Sequence, residues 1–236
     1  MRITKIKSRV INPPKDEIWD VLDTLELIDG DIVFITSKIL AIHEGRCVPM
    51  SGANKDELIK QEATHWMEND KKDMPVLTIT QNTLIPSAGI DESNANGHYI
   101  LWPKFADRLC QDIRSYLMKK NRISKLGVVA TDSKTTPLRM GVTGIAIGLA
   151  GVNPIKDLRG VPDIFGKKLQ HTRVNLIDPI AGLAVLLMGE STEKTPMIVV
   201  SGYTEAQFND KATMDDLRIS PKEDMYQPLM EAFTTK

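Results

Sequence analysis

Oxygen-bearing side chains dominate the two stretches of this sequence that could do chemistry. Residues 85–94 are turn-rich, and Asp91, Glu92, Ser93 and Asn94 place two carboxylates, a hydroxyl and an amide in consecutive positions. Such a concentration of hard oxygen donors suits Mg2+ or Mn2+ better than zinc. The second stretch follows the apolar block 126–130, whose length and β-branched content are those of an interior strand. Asp132 and Ser133 come next, in a polar turn expected at the carboxyl end of that strand, where ligands gather in sheets. Brought together by the fold, Asp91 and Asp132 could grip one cation; taken separately, each is also ordinary turn or cap chemistry.

Other candidates are weaker on their own. Lys38 stands just past a second interior strand, residues 31–37, from which a long cationic stem can reach a phosphate, although a lone lysine is also common solvated surface. Arg159, in the loop Asp157-Leu158-Arg159-Gly160, could hold a substrate carboxylate or simply pair with Asp157. Four scattered histidines and the thiols Cys47 and Cys110 form no Ser-His-Asp, Cys-His or Cys-x-x-Cys set, so no protein nucleophile is expected. The glycines at 141, 144, 148 and 151 match neither Gly-x-Gly-x-x-Gly nor Gly-Lys-Ser/Thr. Their spacing reads instead as close packing, including packing across a subunit boundary.

The elements that must position these groups alternate between the two periods. Strands are expected at residues 1–12, 31–37, 76–80, 126–130 and 197–200; helices at 16–27, 54–70, 104–120 and 172–188. Pro103 would start the third helix, whose stripe is Phe105, Leu109, Ile113 and Leu117, with Asp107, Arg108, Asp112 and Arg114 on a wet face. Pro179 must fall in the first turn of the fourth. A chain of 236 residues can bury a sizeable mixed α and β core. With 30 basic and 31 acidic side chains it carries a formal charge of −1, which gives no general attraction to nucleic acid or anionic lipid. No apolar run approaches the roughly 20 residues of a membrane span, and a cytoplasmic protein is expected.

Five pieces in order carry a family resemblance: Ala88 to Asn94, Gly127 to Asp132, Pro137 with Arg139 and Gly141, Thr143 to Gly151, and Asp157 to Gly160. Together they resemble the gamma-glutamyl ligase family of the deazaflavin coenzyme F420, over about residues 27–200. The resemblance implies an α+β fold of mixed sheets and helices in two interlocked lobes, with residues 1–236 forming one unit of two intertwined subdomains, and a homodimer. It further implies a GTP- or ATP-dependent ligase that joins L-glutamate to a small-molecule carboxylate through an acyl phosphate. Asp91, Asp132, Ser133 and Glu190 would hold Mg2+ or Mn2+; Ser37, Lys38, Asn94, Glu190, Ser191 and Thr192 would contact the nucleotide; Lys38, Arg139 and Arg159 would serve the reaction.

Departures accompany the match. Ile42 stands where a nucleotide-binding lysine is usual, Gly144 where an aspartate is common, and Pro179 where relatives carry a glutamate. Residues 134–138, Lys-Thr-Thr-Pro-Leu, lose the aromatic and arginine positions suited to a flat phosphorylated deazaflavin, which points to another acceptor, folate-like in one reading. The alternatives are a catalytically silent nucleotide- or metabolite-binding relative and a metal-dependent phosphohydrolase using the same carboxylates.

Overall fold

The β-branched run Asp31–Thr36 is buried almost along its whole length and lies inside the main sheet. The computed structural model describes residues 1–67 and 74–235. Its first half contains β1 (Arg2–Ile6), α1 (Trp19–Leu22), β2 (Asp31–Thr36), α2 (Ser37–Glu44), β3 (Cys47–Pro49), α3 (Lys55–Glu62), β4 (His65–Met67), β5 (Leu77–Thr80), β6 (Thr83–Pro86) and β7 (His98–Ile100). The second half contains α4 (Ala106–Asn121), β8 (Leu126–Thr135), β9 (Val142–Val152), β10 (Ile155–Asp157), β11 (Arg173–Asn175), α5 (Asp178–Met188), β12 (Met197–Ser201), β13 (Phe208–Asn209), α6 (Gln227–Met230) and β14 (Thr234–Thr235). The α+β class expected from the sequence is the class observed. Among the described residues, no helix is long and apolar enough to cross a membrane.

Among the described residues the main sheet has the order β1-β12-β2-β8-β9-β13. Only β2 and β8 run parallel, in a register that ends with Thr36 opposite Thr131. A parallel pair requires a long crossover. Here the crossover carries a second lobe, in which β4-β5-β6, edged by β14 from the far end of the chain, the β3–β7 pair and α3 surround a small core of Ile59, Ala63, Ala88, Ile90 and Leu101. One face of the main sheet packs on α1, α2 and α4 through Ile18, Leu40, Ile113 and Val128; the other packs on α5 through Phe34, Val129 and Ala181.

Several expected boundaries move, each for a local reason. The first helix shrinks to Trp19–Leu22 because the Thr24 hydroxyl takes the Val21 carbonyl, yet its stripe Ile18, Val21, Leu22 and Leu25 is buried as expected. The second ends at Glu62: Ala63 turns extended, the Thr64 N–H donates to Ile79, and Trp66 lies on β4. Residues 68–70 of that expectation lie outside the described residues. The fourth starts only at Asp178, after β11, because Asn175 Oδ1 accepts from the Ile177 and Asp178 amides; Pro179 does fall in its first turn.

Three corrections concern α4. Phe105 is exposed at its start, and Arg114 is buried, donating from Nε to the Leu126 carbonyl and from its guanidinium to Asp210. Asp107 likewise leaves the wet face and accepts from the Leu149 amide.

The strand carrying Asp132 does not break there. β8 runs on to Thr135, paired with β9, whose extra residue Ile147 forms a bulge between the Ala130–Gly148 and Thr131–Ala146 pairs. That bulge lets β9 present glycine to both helices. A Cβ on Gly144 would lie 2.5 Å from the Ala181 carbonyl oxygen of α5, and one on Gly148 would lie 2.6 Å from the Ala106 Cβ of α4. Gly144, Gly148 and Gly151 thus serve packing within the chain itself, whereas Gly141 has open space beside it and a φ of +91° in the β8–β9 turn. Gly148→Ala should destabilise the protein by about 1–3 kcal/mol through this overlap, read as a lower urea midpoint at unchanged slope. An unchanged midpoint would contradict the close seating of α4 on β9.

Candidate functional site

β2 ends at Thr36, so among the described residues the edge of β8 beyond Thr131 is paired to no strand on that side. Asp132 and Ser133 lie on this uncovered stretch, and both line a cavity of about 280 Å³. Asp132 therefore stands at the carboxyl end of the parallel pair although β8 itself continues. The crossover brings the Asp91 loop back to the same place, and the loop after α5 closes the other side with Glu190, Ser191 and Thr192. Asn94 ties the two loops, donating from Nδ2 to the Ser191 carbonyl at 2.9 Å.

Lys38 and Asp91 form the central contact. The Lys38 ammonium lies 2.7 Å from Asp91 Oδ2 and donates to the Ser93 carbonyl at 2.7 Å and to Ser93 Oγ at 3.0 Å. The other Asp91 oxygen accepts from the Ser93 amide and hydroxyl. Burial raises the Asp91 pKa, but the Lys38 hydrogen bond and charge, with Ser93, outweigh it and leave the group below the usual carboxylate range.

Asp132 is held differently. Trp102 Nε1 donates to its Oδ2, the Ser133 amide donates to its Oδ1 at 2.9 Å, and the buried Ser37 hydroxyl lies near enough to favour the ionised form slightly. Burial still dominates; with the nearby negative charge of Asp91 it pushes the Asp132 pKa up to about 6. Glu190, exposed at the cavity rim, is also raised, first by partial desolvation and then by Asp91 and Glu193, against the lowering effects of Lys38 and the nearby Ser133 hydroxyl. Gly89 explains part of the Ala-Gly motif: its φ is +73°, and a Cβ there would strike the Trp102 indole at 2.3 Å. This glycine admits the tryptophan that binds Asp132.

The fold brings Ser37, Lys38, Asp91, Asn94, Asp132, Ser133, Glu190, Ser191 and Thr192 to this one region. It places two others elsewhere. Arg139 is exposed at the β8–β9 turn, where it donates to the Leu138 carbonyl, and Arg159 pairs with Asp157 in the β10–β11 loop. Sequence reading missed Trp102, and it missed the wall formed by residues 8–11, joined to the 190–195 loop where the Ser8 amide donates to the Lys194 carbonyl. Arg9 in that wall is saturated by Asp16, Asp20 and the Glu17 carbonyl. Its only signal in the sequence was a run of nearby acids. Ile42 also lines the cavity, as an apolar surface where the resemblance expects a lysine.

Among the described residues, no three His, Cys, Asp or Glu side chains are close enough to cage a metal unaided. The donor chemistry nevertheless fits a hard cation, because three carboxylates and a hydroxyl face one cavity and two of the carboxylates are driven toward protonation. Mg2+ commonly takes one or two carboxylates and completes its shell with water and phosphate oxygens.

A model described as F420-0:Gamma-glutamyl ligase matches residues 5–202. The coenzyme F420:L-glutamate ligase of Methanosarcina barkeri is 30% identical over 203 residues, 78% of this chain and 78% of its own. The proteins of the same name from Methanopyrus kandleri and Methanocaldococcus jannaschii are each 30% identical, over 82% and 83% of this chain and 83% and 84% of their own.

Because the folded Asp132 pKa is raised, its ionised form opposes folding above about pH 6, and this opposition fades as pH falls toward the unfolded value near 4. Asp132→Asn keeps an acceptor for Trp102. Its NH2 then meets the Ser133 amide, a cost that does not vary with pH, so with a chelator present the variant's stability relative to the wild type should be greater at pH 8 than at pH 4, by about 2–3 kcal/mol in urea denaturation. A gain that grows as pH falls would contradict the assignment.

Proposed function

The chain belongs to the F420-0:gamma-glutamyl ligase family, and we propose that it joins the amine of L-glutamate to the carboxylate of a small-molecule acceptor at the expense of a nucleoside triphosphate. The observation that carries this reading is the meeting of Asp91, Asp132, Ser133 and Glu190 with Lys38 around one cavity, although they arise from four separate parts of the chain.

A carboxylate is a poor acylating group, since resonance stabilises it and its oxygen leaves reluctantly. In the proposed reaction the acceptor carboxylate takes the γ-phosphoryl group, releasing the nucleoside diphosphate. The glutamate amine then attacks the acyl phosphate, expels phosphate and loses a proton. Asp91 and Asp132 would hold one divalent ion, and Ser133 with Glu190 a second. Bound Mg2+ or Mn2+ supplies neutralisation of the negative charge that shifts during phosphoryl transfer. Lys38 lies close enough to exchange Asp91 for a phosphate oxygen. Ser37, Asn94, Ser191 and Thr192 complete the proposed nucleotide contacts.

The acceptor is a deazaflavin precursor or a folate-like pterin, and the altered residues 134–138 favour the latter. Leu138, Met140, Ile164 and Phe165 are exposed on the two hairpins that carry Arg139 and Arg159. A homodimer packed through these hairpins would cover them, and it is the arrangement in which either arginine could orient a carboxylate.

Incubated with GTP or ATP, Mn2+, L-glutamate and candidate acceptors, the protein should release phosphate only when acceptor and glutamate are both present. Release without acceptor would identify a hydrolase, and nucleotide binding without turnover a silent relative. Asp132→Asn should lose metal-dependent nucleotide binding in calorimetry, and unchanged binding would sink the site.

A further inference from the structure

A second cavity, of about 190 Å³, opens on the Asp132 face of β8. Lys134 and Ile145 line it; Ile145 is the β9 partner of Asp132, and Lys134 lies two residues beyond Asp132, about 7 Å along the strand. The opposite wall is the C-terminal segment around Arg218, tethered where Asn82 Nδ2 donates to the Ile219 carbonyl at 2.8 Å.

The polar groups of this cavity are unevenly satisfied. Arg218 binds Asp215 through one terminal nitrogen, while its Nε is buried with no hydrogen-bond partner. An orphaned buried donor of this kind is destabilising, and a ligand oxygen would satisfy it. Among the described residues, the Lys134 ammonium forms no hydrogen bond or ion pair. The two acids in the lining are engaged: Asp178 accepts from the Ala146 amide and Asn175, and Asp224 accepts from the Tyr226 amide. The volume lies below the roughly 300–1,000 Å³ of pockets for drug-sized ligands, so it suits a molecule of amino-acid size and not a nucleotide or a fused ring system.

We propose that this cavity seats a small dicarboxylate of glutamate size between the Lys134 ammonium and the Arg218 guanidinium, beside the phosphate-handling site. Its part in catalysis rests on the ligase reading; its binding does not. The dicarboxylate comes either from free glutamate, whose ammonium would meet Asp178 or Asp224, or from a glutamyl end of the acceptor, which has no ammonium.

Calorimetry of the full chain with L-glutamate and with N-acetyl-L-glutamate separates the two sources. At least one should bind, and Lys134→Met and Arg218→Met should each weaken it tenfold or more. Preference for L-glutamate marks the seat of the incoming amino acid, and preference for the acetylated probe marks the acceptor end. Should Arg218→Met fail to fold, Lys134→Met decides. Wild-type protein that binds neither probe overturns the proposal, as does a Lys134→Met variant with the wild-type urea midpoint and undiminished binding. A protein that binds a probe here but never couples phosphate release to glutamate defeats the ligase reading and leaves this site standing.

Discussion

Mutual repulsion among Asp91, Asp132 and Glu190 is the constraint that shapes this protein. Asp132 is the most enclosed, Asp91 is half-buried and Glu190 stands exposed at the rim of the same cavity, and the Asp91 charge is felt at both of the others. The Lys38 ammonium offsets part of the repulsion at Asp91 and Glu190, while Asp132 relies on neutral donors, the Trp102 indole and the Ser133 amide. Neutral donors stabilise a buried charge less than an opposite charge does, which is why Asp132 keeps the raised pKa. Strain of this electrostatic kind opposes folding, and proteins retain it mainly where a ligand relieves it.

The topology makes the cluster possible. A single parallel pair, β2 and β8, sends its carboxyl ends to one side, and β2 stops while β8 runs on. The crossover demanded by that pairing is long enough to contain a second lobe, whose last loops return Asp91 and Trp102 to the same end. Support is layered behind the acids: Gly89 makes room for Trp102, and the glycines of β9 let α4 and α5 close on both faces of the sheet.

Much of this was legible in residue order. The interior strands announced themselves as short β-branched runs, and the buried stripe Ile18, Val21, Leu22 and Leu25 held even though the helix around it shrank to one turn. Helix ends were harder to read. At residues 62–66 the competition was between continuing a helix and pairing with β5, and the partner strand, distant in sequence, won. Arg114 deceived for the same kind of reason: a charge in a polar stretch reads as surface until the Leu126 carbonyl and Asp210 arrive to satisfy it.

By itself the sequence determined the chemistry on offer: hard oxygen donors, one lysine past a buried strand, no nucleophile set, and the ordered motifs that mark the family. These are properties of side-chain type and local spacing, which survive without coordinates. Only the tertiary structure decided which of them meet. It joined Asp91 to Lys38 and Asn94 to Ser191, placed Trp102 on Asp132, and left Arg139 and Arg159 on outlying hairpins. It also set Lys134 and Arg218 in the lining of a second cavity. Long-range contacts of this kind depend on which strands pair and in what register, and no local pattern of residues encodes that choice.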